Sequence, residues 1–298
     1  MKPSFEIGKA LGFAIEVARA RPSSFITLAV WTILYGAVLG VFQVQAIGDD
    51  MAVYMTSLTS APAPGNDDTA ETLQAISQYF SATLPFTVVA LILGIVVESA
   101  WLRLFVRGQD GGVFPFRVGR DEGVYAITGL LILLIFIAAL LLSFIAMFVI
   151  ASLFASLGTA GAAIGGLLGG LIMFGLLVVV ITQVSPALAL SLLKNHISMG
   201  AAIRGAQKIF WPLLGSFIVS LVVMMLFYSV ITGLISFMPF NEFGRAPSGD
   251  FVGWQAMFPY YVIVQLIALI PVAIMRGVAC YAALQIDEGN RPLADTFS

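Results

Sequence analysis

Six long apolar runs constrain this chain more than anything else in it: roughly 25–47, 84–107, 124–153, 162–193, 213–237 and 259–284. About 20 apolar residues are enough for a helix to cross about 30 Å of hydrocarbon. Inside a bilayer every backbone polar group needs an internal partner, so such runs become helices. The expected fold class is therefore all-α, one polytopic membrane domain over 1–298. With 60% hydrophobic and 10% charged residues, one water-soluble core could not hide this much apolar surface. The third and fourth runs are joined by the uncharged SLFASLGTAG (152–161) and read as a tight hairpin. FQVQA, at the end of the first run, faintly resembles a signal cleavage site. Its apolar part is too long and an amphipathic segment precedes it, so the run reads as a retained span.

Orientation follows the basic residues. With the N-terminus inside, all 14 Lys and Arg except Arg245 fall on one side. The segment 48–83 on the other side carries Asp49, Asp50, Asp67, Asp68 and Glu71 and no basic residue. Both termini are thus expected in the cytosol. In that outer loop APAPGN (61–66) is a breaker. Asp68 and Glu71 have capping-box spacing, which predicts a short helix near 69–81. Tyr79, Phe80, Trp254, Tyr260 and Tyr261 fit an outer aromatic belt, Trp101 and Trp211 an inner one.

An internal repeat organises the inner side. SFEIGKALGFAIEVARARP (4–22) and SMGAAIRGAQKIFWP (198–212) each precede a pair of spans and end in Pro22 and Pro212. Proline is tolerated at a helix start, where its missing N–H needs no partner. On the interfacial helix over 4–21, Ile7, Leu11, Ala14, Ile15 and Ala18 share one face, with Phe13 an exception. Glu6, Lys9, Glu16 and Arg19 share the other. In the later copy Met199, Ile203, Ala206 and Phe210 oppose Arg204 and Lys208. GVFPFRVGRDEG (112–123) is a shorter middle member. The unit is a helix in the headgroup plane followed by two spans, three times over. Such helices serve as structural collars or recruit anionic lipid or a cytosolic partner. The RP- and WP-before-span pattern, the helix–span–span unit and the RLFVRG exit resemble the membrane domain fused to some bacterial glycerophosphodiester phosphodiesterases, and related stand-alone inner-membrane proteins. This resemblance, with the absence of a targeting signal, implies a bacterial inner-membrane location and an architecture rather than a chemistry, and the expectation is a chain with no phosphodiesterase domain attached.

Within the spans, polar residues are few. In IVVESAWLRLFVRG (95–108), Glu98 lies 14 residues after Leu84. Gln183 lies 14 after Gly169, and Arg276 lies 14 after Val262. Fourteen residues rise about 21 Å along a helix, which puts all three at similar depth in the inner third. A lone charge in hydrocarbon costs roughly 3 kcal/mol, so opposite signs at equal depth predict a Glu98–Arg276 pair with Gln183 nearby. Glu98 with Arg103 is a poor alternative, since five residues place them on different helix faces. The pair reads as a structural latch, as two residues snorkelling separately, or as a polar site for a proton or lipid headgroup.

Pro186 and Pro271 are expected to kink the fourth and sixth spans. Gly161, Gly165 and Gly169, and again Gly166 and Gly170, stand four apart and form ridges for close helix packing, within the chain or between two copies. Gln265 and Tyr228 are isolated polar residues expected to find backbone partners. One cysteine, Cys280, excludes an internal disulfide, and one histidine, His196, excludes the usual His or Cys metal clusters. No nucleophile elbow or phosphate loop is present, so the expectation is no enzyme, no cofactor and no nucleic-acid partner. The expected function is a non-enzymatic scaffold or accessory subunit that organises membrane lipids or a partner, another membrane protein or itself. The alternative is a small-molecule or lipid transporter working through Glu98, Gln183 and Arg276.

Overall fold

A computed structural model describes residues 5–59, 69–109, 114, 116–235 and 253–287, with the side chains at 47–59, 69–72 and 75 outside the description. Nine helices and no strand appear among the described residues: α1 (Ile7–Ala20), α2 (Pro22–Thr59), α3 (Thr69–Arg107), α4 (Arg120–Ala155), α5 (Thr159–Val184), α6 (Ala187–Lys194), α7 (Met199–Lys208), α8 (Phe210–Ile235) and α9 (Trp254–Asp287). Six stretches are long and apolar enough to cross a membrane: Pro22–Ala46, Ile76–Arg107, Arg120–Ala155, Thr159–Lys194, Phe210–Leu234 and Trp254–Asp287. The chain is an all-α polytopic membrane protein, and each stretch overlaps one of the six apolar runs.

Several boundaries differ from the expectation. The loop predicted over 48–83 is partly helical, because α2 continues to Thr59 and α3 begins at Thr69. The short helix expected near 69–81 is the first part of α3, which runs on through Pro85. An apolar run on both sides carries the helix past the one hydrogen bond that a proline removes. Asp67, Asp68 and the breaker 61–66 lie outside the described residues. The fourth span is divided: α5 ends at Val184 and α6 starts at Ala187, with Ser185 and Pro186 between them. Pro271, by contrast, sits inside the continuous α9, as does Pro259.

Two of the three expected collars form, α1 and α7. In the middle member, among the described residues of 112–123 ahead of α4, Phe114 and residues 116–119 form no helix, and α4 starts directly at Arg120. The buried face of α1 is also rotated from the one expected. Ala10, Phe13, Ala14 and Val17 are buried, while Ile7 and Ile15 are exposed. Phe13, the apparent exception, is central because α1 packs against α9, α8 and α2 as part of the core. In α7 the buried residues are Ala202 and Ala206, and a Cβ on Gly205 would overlap the Ile286 side chain of α9.

Most of the buried side chains gather at one end of the bundle, which carries α1, the end of α3, the start of α4, α6, α7 and the end of α9. Here it is named the basic end, since Lys9, Arg19, Arg103, Arg107, Arg120, Lys194, Arg204 and Lys208 lie on these elements. Phe13, Trp101, Phe105 and Tyr281 form its aromatic centre, with ring centroids 5.9 to 6.0 Å apart. Trp101 is therefore no belt residue. It is fully buried, and its indole N–H donates to Thr32 Oγ1 at 2.9 Å. Trp211 is exposed. At the far end a small cluster joins Val41 and Met257, flanked by Tyr260 and Tyr261. Elsewhere the far halves of α3, α4, α5 and α8 present exposed Leu, Ile, Val and Phe.

The α4–α5 hairpin turns through Ser156, Leu157 and Gly158, and Gly158 takes φ +86°, a conformation open to glycine. Gly165 and Gly169 face α4 so closely that a Cβ would lie 2.7 Å from Phe154 Cβ and 2.9 Å from Met147 Cγ, while Gly161 meets the Phe154 carbonyl. Gly166 and Gly170 have nothing within 4 Å. The first glycine ridge is thus spent inside the hairpin, and the second faces outward. Gly169→Ala should destabilise the protein by about 1–3 kcal/mol through overpacking against backbone, read as a drop in thermal midpoint in nanodiscs. Gly166→Ala should leave the midpoint unchanged. Equal effects of the two changes would refute this packing.

Candidate functional site

The buried ionic groups are built on α3. Its inward turn places Glu98, Ser99, Arg103 and Arg107 within three turns, and each finds a partner outside α3, Glu98 on α9 and the other three on α4. Glu98 meets α9: Arg276 Nε donates to Glu98 Oε2 at 2.7 Å, and Nη2 donates to Oε1, a two-pronged pairing that guanidinium geometry favours. The Arg276 side chain is 11% exposed and that of Glu98 33%, so the carboxylate is the side of the bridge open to its surroundings. The guanidinium carbon also lies 5.3 Å from the centre of the Trp101 ring, a cation–π arrangement. Gly277, next in the chain, lets α1 approach closely: a Cβ there would lie 3.1 Å from the Ala14 nitrogen.

Tyr35, Tyr125 and Cys280 stand within electrostatic reach of Glu98. Tyr35 spends its hydroxyl on the Ala90 carbonyl at 3.1 Å. Among the described residues, three buried side-chain polar atoms have no hydrogen-bond partner: Arg276 Nη1, Thr128 Oγ1 and Asn195 Oδ1. Gln183 is half-buried in α5, and no hydrogen bond joins it to Glu98 or Arg276 among the described residues. Of the three residues grouped by depth, two meet. The break at Ser185–Pro186 comes two residues after Gln183, and α4 lies between α5 and α3 in the packing order.

A second cluster lies one turn closer to the basic end. Arg103 Nη1 donates to Glu122 Oε1, Ser99 Oγ donates to the same oxygen at 3.0 Å, and Asp121 Oδ2 is 3.8 Å from Arg103 Nη1. Arg107 Nη1 reaches both Asp121 oxygens at 3.1 and 3.0 Å, and its Nη2 donates to the Leu192 carbonyl. Arg103 and Glu122 are both buried. Counting Arg103 and Arg107 as flanking positive charge misses this. The available signal is Ser99, Arg103 and Arg107 at four-residue spacing, one helix face, opposite the acidic pair Asp121–Glu122. Those acids sit in the first turn of α4, where the helix dipole also favours them.

α6 is closed by Asn195 at φ 57°, with Asn195 N–H donating to Leu192 O and His196 N–H to Ser191 O, both at 3.1 Å. Arg107 thus binds a carbonyl at the very end of α6. Lys194 continues the chain of contacts to Asp287 of α9 at 3.2 Å. The exposed basic residues of the collars stand apart. Lys9 pairs with Glu6 at 3.1 Å, and Arg19, Arg204 and Lys208 are exposed. His196 is exposed, with Nδ1 3.0 Å from Ser198 Oγ. Among the described residues, no three His, Cys, Asp or Glu come together as a metal-binding group.

Removing one partner of a buried ion pair costs about 3–5 kcal/mol, mostly by leaving the other charge unpaired. Glu98→Arg and Arg276→Glu should each lower the unfolding midpoint in nanodiscs strongly. The double reversal should recover part of the loss, the remainder reflecting the lost cation–π contact with Trp101. No recovery at all would show that the bridge is not the source of the stability. Comparison with known proteins returns no match to a family model, to a curated protein or to a solved structure.

Proposed function

We propose that this chain is a non-enzymatic integral membrane protein of the bacterial inner membrane, a scaffold or accessory subunit whose rigid basic end organises lipid or a partner complex in the cytosolic leaflet. Both termini face the cytosol in this reading, in line with the positive-inside bias. The supporting observation is the set of cross-helix ionic contacts made by α3. Glu98 ties it to α9, Arg103 and Arg107 to α4, and Arg107 to α6, while Lys194 returns from α6 to α9. A loop of contacts that closes on itself resists the rocking of one half against the other on which alternating access depends. The resemblance to the membrane domain of bacterial glycerophosphodiester phosphodiesterases belongs to this proposal for its architecture alone.

A second reading, a small-molecule or lipid transporter, is favoured by two buried polar atoms without a hydrogen-bond partner among the described residues, Arg276 Nη1 and Thr128 Oγ1, and by the partly open Glu98 paired to Arg276. A water path decides between them. In a Cys280→Ala background, Thr128→Cys should stay unlabelled by a membrane-impermeant maleimide added from either side. Rapid labelling would replace the scaffold with the transporter.

A further inference from the structure

The segment between α3 and α4 carries a feature that neither the ionic clusters nor the collars use. Phe114 and Phe116 pack edge-on against Trp31 of α2, with ring centroids 5.3 and 5.8 Å away, and against each other at 5.3 Å. Trp31 lies nine residues into α2 from Pro22, about 14 Å along the axis at 1.5 Å per residue. Phe114 therefore reaches back along the bundle wall. It does so beside an apolar stripe on α2, where Ile26, Val30, Leu34 and Val38 are all exposed. Phe114 itself is 59% exposed and Val118 90%.

Charge borders this apolar strip. Arg117 and Arg120 are exposed. Among the described residues, the acids next to them in the chain, Asp121 and Glu122, are already taken by Arg107 and Arg103. Neither Arg117 nor Arg120 has an acidic partner among the described residues. Two exposed guanidinium groups without an acidic partner among the described residues, next to exposed aromatic and aliphatic side chains and continuous with an exposed apolar helix stripe, match an amphiphile with an anionic head. Guanidinium binds a phosphodiester through two parallel N–H donors, and aromatic rings settle at the boundary of headgroup and acyl chain.

We propose that Phe114, Phe116, Arg117, Arg120 and Trp31 form a binding site for one anionic phospholipid of the leaflet at the basic end. Its phosphate lies at Arg117 and Arg120, and an acyl chain runs along Val30 and Leu34. The site goes beyond the scaffold reading and needs only that the chain is embedded in a bilayer.

The test uses the full chain in nanodiscs of mixed phosphatidylcholine and phosphatidylglycerol, with retained lipid weighed by native mass spectrometry. The protein should enrich phosphatidylglycerol. Arg117→Gln/Arg120→Gln should lower that enrichment about fivefold or more, since one basic residue near an anionic surface is worth about a factor of five. Arg204→Gln/Lys208→Gln on α7, equally exposed and equally charged, should leave it nearly unchanged. Equal loss in the two pairs would mean diffuse surface charge, and no loss in the first pair would mean no site; either overturns the proposal. So does displacement of the lipid by inorganic phosphate, which would mark a free-anion site. A second measurement uses the unaltered arginines. Phosphatidylglycerol brominated near its headgroup should quench tryptophan fluorescence more than brominated phosphatidylcholine, and Trp31→Phe should abolish the difference. Equal quenching by the two lipids counts against the site.

Discussion

A guanidinium in the inward part of α9 has to be neutralised where the helix puts it, and the packing at the basic end is arranged around that need. Arg276 cannot be hydrated there at low cost, so α3 must bring Glu98 to it and Trp101 must lie under it. Those two residues are three apart on one helix, so a single face of α3 both pairs the cation and stacks on it. Gly277 then admits α1 against the same stretch of α9. One charge thereby sets the contacts of α1, α3 and α9 together.

The second cluster extends the same logic toward the end of the bundle. Arg103 and Arg107 fall one and two turns beyond Ser99 and meet the acids that open α4. Because α3 carries both clusters, it is the element to which the others are fixed. This explains the unequal ends of the molecule. Polar contacts and aromatic packing concentrate at the basic end, where burial inside protein is needed to satisfy them. At the far end the side chains are apolar, and in lipid an apolar side chain is equally comfortable against an acyl chain or a neighbour. Those helices are held mainly by close backbone approach, as at Gly165 and Gly169.

The six spans were legible because apolar length reports membrane crossing directly, and the depth argument found Glu98 and Arg276 because helices convert residue number into height. The same argument groups Gln183 with them, yet equal height says nothing about which helices touch, and among the described residues no hydrogen bond joins Gln183 to either. Trp101 was placed on a belt since tryptophan favours interfaces on average, yet its N–H had Thr32 to donate to and its ring had a cation to cover. Hydrophobicity alone puts Ile7 and Ile15 on the buried face of α1, but both are exposed; Ala14, on that same expected face, is buried where Gly277 of α9 comes close, alongside Ala10, Phe13 and Val17. The Arg103–Glu122 contact hid in plain sight, because basic residues at a span end satisfy the orientation rule whether or not they are paired.

What the chain determines by itself is local and axial: which stretches are helical and apolar, where each polar group sits along its helix, and how charge divides between the two ends. These follow from periodicity, length and the cost of exposing backbone to lipid. Which helices become neighbours was decided only by the tertiary structure. In a bilayer nearly every apolar face can be solvated by lipid, so hydrophobicity does not choose partners. Close fits between small residues, and the pairing of the few charges that lipid will not accept, make that choice.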